Sequence, residues 1–320
     1  MGETSVILQR RLCALILAAL LAASALLAGC NSSSDDDNPV DPGDDVWTFE
    51  TGVTDAHINK VIYTGGLFVA AADSGKVLVR TGSTWTVRQT STTNDLYDIA
   101  HSGGVYVAVG DAGTVVTSPD LLTWATRNST VDFDLWSVTW GGSLFAAAGN
   151  DGVIITSSAG IDWNIRTTGT SIDFNGIAWV GNQFVAVGDS LIIYTSPDAL
   201  VWTLRHAPGA GYLYAAAASG SRLVAVGFAG SLSSDTIFTS TDGVTWESRQ
   251  AGVNILNDVI WAGAAFMAVG GNRFCSSTDG LTWSSEEVGS GMLLLQGVAK
   301  ETTGSRVVVV GAEGAVATRP

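Results

Sequence analysis

Seven times along the chain, a run of small and branched apolar residues breaks off at a turn-forming position. The copies are "FVAAAD" at 68, "YVAVGD" at 106, "FAAAGN" at 145, "FVAVGD" at 184, "LVAVGF" at 223, "FMAVGG" at 266 and "VVVVGA" at 307. Short β-prone runs bounded by Gly, Asp or Asn read as strands. In the second copy "LYDIAHS" (96–102) reads as a first strand, "VYVAVG" as a second, "TVVTS" as a third and "TWATRN" as a fourth. A second landmark sets the period: "SPDLLTW" at 118–124, "SSAGIDW" at 157–163, "SPDALVW" at 196–202, "STDGVTW" at 240–246 and "STDGLTW" at 277–283, with a truncated "TGSTW" at 81–85. Four short strands in each unit of about 40 residues make a propeller blade.

Seven apolar runs against six tryptophan turns leave the last unit one strand short, at "GAVATRP". The segment "VWTFETG" (46–52) supplies the missing piece. With Trp47 added, the tryptophans 47, 85, 124, 163, 202, 246 and 283 are spaced by 38, 39, 39, 39, 44 and 37 residues. The expected fold is therefore all-β, a seven-bladed propeller over 46–320 whose last blade is completed by the N-terminal strand, which removes the open sheet edges. The long fifth unit carries an insertion, "FAGSLSSD" (228–235), in its second-to-third-strand turn. The tryptophan motif is expected at the hairpin between third and fourth strands. Its Asp-Gly pair suits a type I′ turn with positive φ at both centres, and its Trp is expected to be buried between blades.

The first 45 residues follow another pattern. Arg10 and Arg11 precede an almost purely Leu/Ala/Ile stretch (12–28) that closes on "LLAGC" at Cys30, which reads as an export signal over 1–29. Residues 31–45, "NSSSDDDNPVDPGDD", carry six aspartates and no apolar periodicity, so 30–45 reads as a solvated tether. If flexible, it spans on the order of 20 Å. The formal net charge is −15; losing Arg10, Arg11 and Glu3 makes it −16, and the tether holds six of those charges. An acidic body without clustered Lys or Arg argues against nucleic acid and against electrostatic docking on anionic lipid. Cys275 stands alone in the body, so no internal disulfide is expected.

"LLAGC" resembles the bacterial lipoprotein lipobox, which implies a lipidated Cys30. Asn31 then implies sorting to the outer membrane, facing the periplasm or the cell surface. The tryptophan turns resemble the Asp-box, or BNR, repeat family, which includes sialidases, sortilin-type receptors and a photosystem II assembly factor. The family box reads S-x-D-x-G-x-T-W, whereas "STDGVTW" is one residue shorter, "SPDLLTW" and "SPDALVW" lack the glycine, and "SSAGIDW" lacks the aspartate.

A sialidase-type enzyme would need converging arginines, but Arg88, Arg127, Arg166, Arg205 and Arg249 each follow a repeat Trp by three residues, which spreads them over the outermost strands. His57, His101 and His206 lie in separate repeats without metal-ligand spacing, and no nucleophile elbow, P-loop or zinc-protease motif is present. Neither cofactor nor metal is expected. What remains is a surface. The second residue of each first strand gives a ring of Asn59, Tyr97, Trp136, Asn175, Tyr214, Asn257 and Gln296. Aromatic faces with amide donors and acceptors suit a sugar or peptide ligand, and bulky side chains there would equally suit blade packing. Four positions on, Tyr63, His101, Trp140, Trp179, Trp261 and Lys300 read as interblade core. The sequence thus points to a monomeric, non-catalytic envelope module binding a protein or glycan, with a glycan hydrolase or lyase as the alternative.

Overall fold

A computed structural model describes residues 46–206, 208–228, 237–249, 252–253, 255–289 and 294–320. The expected export segment, Cys30, the acidic tether and positions 229–235 of the insertion lie outside the described residues. The rest forms seven antiparallel four-stranded sheets. We number the blades by their first strands, which begin at Ile58, Leu96, Leu135, Phe174, Tyr212, Asp258 and Leu295. In blade 2 the strands Leu96–His101, Tyr106–Gly110, Val115–Ser118 and Ala125–Arg127 reproduce the four expected segments. Each first strand packs on the next, and Ile58–Thr64 packs on Leu295–Lys300 to close the circle. Blade 7 takes its fourth strand from Thr48–Glu50, which pairs with Val316–Arg319 in the register Thr48↔Thr318 and Glu50↔Val316.

The apolar runs are continuous because each second strand is buried on both faces. In blade 1, Phe68, Ala70 and Ala72 join a core shared with Val308 and Val310 of blade 7, while Val69 and Ala71 join one shared with Ile99 and Ala108 of blade 2. The aromatic residues near the ends of the first strands complete these cores. Tyr63 meets Phe68 at 4.8 Å between ring centroids, Trp140 meets Phe145 at 4.6 Å, Trp179 meets Phe184 at 4.6 Å and Trp261 meets Phe266 at 4.8 Å. Trp179 also crosses to blade 3, where a Cβ on Gly141 would lie 1.9 Å from the indole.

The turns differ from expectation. The tryptophan motif is not a two-residue hairpin: Thr117 pairs with Ala125, Thr239 with Glu247 and Ser276 with Ser284, so the whole seven-residue motif is the loop. Its aspartate is a staple. Asp120 accepts the N–H of Leu122 at 2.8 Å and of Thr123 at 2.9 Å, while Ser118 Oγ accepts the N–H of Leu121 at 2.8 Å. Only the residue after the aspartate position is left-handed, with φ of 64° at Leu121, 75° at Gly160, 60° at Ala199 and 71° at Gly243. The paired positive φ of a type I′ turn instead lies between second and third strands, at Ala112 and Gly113 (49° and 68°) and at Asp151 and Gly152 (57° and 67°). There the strands pair right up to the turn and need its matching twist. The wide loop is closed by side chains instead. The tryptophans close as expected: Trp47, Trp124, Trp163 and Trp202 are buried, and the indoles of Trp163 and Trp202 donate to the carbonyls of Gly160 and Ala199 at 3.1 and 3.2 Å.

Candidate functional site

The ring of Asn59, Tyr97, Trp136, Asn175, Tyr214, Asn257 and Gln296 sits where the first strands begin. In blade 2, Leu96 pairs with Gly110 and Asp98 with Val109, leaving Tyr97 bulged. The same skip bulges Asn59, Trp136, Asn175, Tyr214 and Gln296, and Asn257 directly precedes the strand Asp258–Trp261. A bulge re-aims its side chain, here toward the residue that ends the second strand. Asn59 Nδ2 donates to Asp73 Oδ1 at 2.8 Å, Asn175 Nδ2 to Asp189 Oδ1 at 2.8 Å, Tyr97 OH to Asp111, and Trp136 Nε1 to Asn150. Asn59, Asn175 and Asn257 also donate across the blade boundary, to the carbonyls of Leu96 (2.9 Å), Leu213 (3.2 Å) and Leu295 (2.7 Å). Tyr97 and Trp136 stack, with centroids 4.4 Å apart and planes 25° apart. Burial, then the Asp111 hydrogen bond and charge, raise the Tyr97 phenol above its ordinary value. These contacts tie blades 1 to 4 to their own turns, and blades 1, 2, 4 and 6 to the next blade.

One position further along each first strand lies a group that the sequence analysis passed over. Lys60 Nζ of blade 1 reaches Asp258 Oδ1 of blade 6 at 2.6 Å, bridging two blades that are not neighbours. Asp98 of blade 2 adds its field to the same ammonium. Both carboxylates are buried. Asp98 accepts the N–H of Ile99 (2.7 Å) and Val138 (2.9 Å) and the hydroxyl of Ser137 (2.7 Å); Asp258 accepts the N–H of Val259 (2.9 Å) and Val298 (3.1 Å). Burial works against the charge on Lys60, but Asp258 and Asp98 outweigh it and raise the ammonium above its ordinary value. Burial likewise pushes Asp98 up, with Lys60 and the N–H donors opposing. The signal was present: the same column of the repeat holds Ser137, Gly176, Ala215 and Gly297 in the other blades, so three charged residues there stand out.

The face formed by the second-to-third-strand turns and the interblade crossings is unevenly charged. Ahead of blades 2, 3 and 4, the carboxylates of Asp95, Asp134 and Asp173 each accept the N–H at the tip of the preceding blade's turn, from Ser74, Ala112 and Asp151, all at 2.8 Å. Asp73, Asp111 and Asp189 add to this arc. Within it Phe133 is 41% exposed, between Asp132 and Asp134. Blade 5 presents Tyr212 and Tyr214, near-parallel at 6.3 Å, in place of carboxylates.

The remaining candidates serve the scaffold. Arg127, Arg166 and Arg205 donate from their outermost strands to Thr117, Thr156 and Thr195, each at 2.8 Å, and Arg88 donates to the Leu121 carbonyl at 2.8 Å. Arg249 pairs with Glu247. His101 bonds Thr64 at 2.7 Å and stacks on Tyr106, and burial lowers its pKa. His206 bonds the Leu191 carbonyl at 3.0 Å. Lys300 donates to the Gly304 carbonyl at 2.7 Å. Cys275 is a fully buried free thiol, pushed up to about 12 by burial. Among the described residues no three His, Cys, Asp or Glu side chains group as a metal site.

No protein-family model matches the chain, and no curated protein matches it. Solved structures do share the fold. The chain is similar to the WD40 β-propeller domain of Doa1, at 10% identity and a TM-score of 0.68, covering 88% of this chain and 98% of that one. It is similar to YCF48 from Cyanidioschyzon merolae, at 16% identity and a TM-score of 0.62, covering 86% and 98%. A YCF48 bound to D1 peptide matches at 15% identity and a TM-score of 0.68, covering 89% and 99%. The shared architecture is the seven-bladed propeller.

Proposed function

We propose that the chain is a non-catalytic, lipid-anchored envelope protein whose propeller holds a basic protein segment on the face of its second-to-third-strand turns. The observation that carries this reading is the acidic arc of blades 1–4 around the exposed ring of Phe133. One-signed charge steers and orients an oppositely charged partner, and a projecting aromatic supplies an apolar anchor. A propeller of the same fold bound to a peptide supports a peptide ligand. The chain joins the propeller at Trp47, beside the start of Thr48–Glu50 on the opposite face, so the turn face lies farther from the point where the preceding residues attach. The protein reading is preferred over a glycan hydrolase because both oxygens of Asp98 and of Asp258 already accept hydrogen bonds within the protein. The ring of Asn59 to Gln296 then buttresses the face from beneath. Lipidation at Cys30 and an outer-membrane address at Asn31 complete the proposal, and acylated Cys30 at the mature N-terminus by mass spectrometry checks the anchor.

A photoreactive residue placed at position 133 in cells tests the face. A discrete protein adduct is expected there, suppressed at about 0.5 M salt where screening is nearly complete. None is expected from position 122, where Leu122 is 68% exposed on the opposite face. Equal adducts from both positions, or an adduct indifferent to salt, would overturn the reading.

A further inference from the structure

The seven-residue turn also covers the groove between neighbouring blades. Gly160 of blade 3 lies against Val107 and Thr117 of blade 2, and Gly280 of blade 6 lies against Arg222 and Val224 of blade 5. Blade 1 lacks this cover. Thr81 pairs directly with Thr84 across Gly82 and Ser83. At the register position where blade 2 has Ser118, opposite Tyr106, blade 1 has Arg80, opposite Phe68. The groove between the closing strand Thr48–Glu50 and blade 1 is consequently an open cleft of about 490 Å³, within the size range of small-molecule sites.

The walls of this cleft hold a neutralised ion pair, an indole donor without an acceptor and a set of hydroxyls. Arg80 is 7% exposed; its Nη1 forms an ion pair with Glu50 Oε1 at 2.6 Å, and its guanidinium lies over the Trp85 ring, 5.9 Å from the centroid. Arg80 Nε takes the Gly82 carbonyl at 3.0 Å. That is the carbonyl three residues before the tryptophan, which the indoles of Trp163, Trp202 and Trp246 use as their acceptor. Trp85 Nε1 is left buried with no acceptor. Trp124 and Trp283 also carry an open indole donor, but beneath a complete seven-residue turn. Hydroxyls of Thr48, Ser83, Thr84 and Thr318 line the rest.

We infer that this seam cleft binds a neutral saccharide unit. Arg80 and Glu50 cancel each other, so neither an anion nor a cation gains by entering, and a hydroxyl-lined wall gives little to an apolar ligand. A sugar answers each group present. A sugar hydroxyl oxygen accepts from Trp85 Nε1, other sugar hydroxyls exchange hydrogen bonds with those of Thr48, Ser83, Thr84 and Thr318, and an apolar sugar edge rests on the partly exposed indole of Trp85. The site is separate from the turn face, so Phe133→Ala leaves it unchanged and the two proposals fail independently.

The test is saturation-transfer NMR and titration calorimetry on the full chain with glucose, galactose, N-acetylglucosamine and their β-linked disaccharides, with glucuronate and glucosamine as charged controls. At least one neutral sugar is expected to bind with a Kd of about 1 mM or better, ahead of both charged controls. Trp85→Phe removes the donor but keeps a ring, and is expected to weaken binding about three- to tenfold. Thr84→Arg, at an exposed lip position, abolishes binding without touching the core. Trp283→Phe leaves binding unchanged. No neutral sugar bound at about 10 mM, preference for a charged sugar or a peptide, or binding that survives Thr84→Arg would each overturn the inference.

Discussion

Lys60→Met tests the axial bridge most directly. The substitution keeps a stem of similar length and deletes the cation between Asp258 Oδ1, 2.6 Å away, and the field of Asp98. Both carboxylates are buried, at 6% exposure for Asp98 and 1% for Asp258, and each keeps its backbone N–H donors. What remains is two like charges in a poorly solvated axis with no counter-ion. Breaking a buried pair by removing one partner costs about 3–5 kcal/mol. At roughly 2–4 °C per kcal/mol for a chain of this size, the melting temperature should fall by about 10 °C at pH 7. The loss should depend on pH, and its sign is fixed. Burial already raises Asp98 above the ordinary carboxylate value of 3.8, and Lys60 holds it back. Without Lys60 the folded-state value rises further. A group with a raised folded value contributes its full stability below the unfolded value and loses it as pH rises through the folded value. The variant should therefore melt nearest to wild type around pH 4 and fall progressively behind toward pH 8, and adding Asp98→Asn should recover part of the deficit at pH 7. Calorimetric melts of the three proteins across that range decide the matter. A variant within about 2 °C of wild type at pH 7, or a deficit unchanged between pH 4 and pH 8, would refute the account of the axis as a charge-balanced bridge.

Two further predictions concern the ring and the turns. Trp136 is 5% exposed and both stacks on Tyr97 and bonds Asn150, so Trp136→Ala should cost about 3–5 kcal/mol in denaturant unfolding; a loss under about 1 kcal/mol would return this residue to the list of ligand contacts. In the turns, N–H bonds from Thr245 and Val244 hold Asp242 down to about 2, so its contribution is complete above 3.8 and disappears as pH falls through about 2. Asp242→Asn should therefore melt below wild type at pH 6 and converge on it near pH 2, and parallel melting curves over that range would show the staple to be unimportant.

Blade number, strand positions and ring closure were legible because they rest on burial alone. A second strand enclosed on both faces must be apolar throughout, as Phe68 to Ala72 are, and the spacing alone places Trp47 at the last blade, where it meets Phe274 at 5.3 Å. The turn types were not legible. "STDGVTW" and "VGDAGT" each hold an Asp and a Gly near a strand end, and only the distance between the paired strands decides whether backbone twist or a side-chain staple closes the loop. The ring column was legible, but its hydrogen bonds were not, because they join residues fourteen positions apart, as Asn59 to Asp73, or 37 to 38 apart across a blade boundary, as Asn59 to Leu96 and Asn257 to Leu295, through a bulge that periodicity does not reveal. The axial bridge escaped for a related reason. Lys60 and Asp258 are 198 residues apart in sequence, and only the closed circle makes them neighbours.

A repeat protein separates construction from use by where its copies agree. Gly110, Gly149, Gly188, Gly227 and Gly270 recur in one column because a Cβ there would lie 1.8–2.3 Å from a backbone carbonyl oxygen at the entry to the blade's first strand. Blades 2 to 7 share that packing demand, with Gly311 at 2.5 Å in blade 7 and Ala72 standing in the column in blade 1, so the column says nothing about function. Columns that vary are free of that demand. The second-strand ends carry Asp73, Asp111, Asn150 and Asp189 in blades 1–4 but Phe228, Gly271 and Ala312 in blades 5–7, and packing does not require carboxylates on one side of the circle. The turn-serine column holds Ser118, Ser157, Ser196, Ser240 and Ser277 in blades 2–6 but Arg80 and Arg319 in the two blades at the seam. Arg319 is fully used, stacked 4.8 Å from Trp47 and 4.4 Å from Phe274 and paired with Glu286 at 2.6 Å. The same substitution that completes the closing joint on one side of the seam stands on the other beside an uncovered cleft and an indole N–H of Trp85 without an acceptor, and that asymmetry favours a ligand at the cleft.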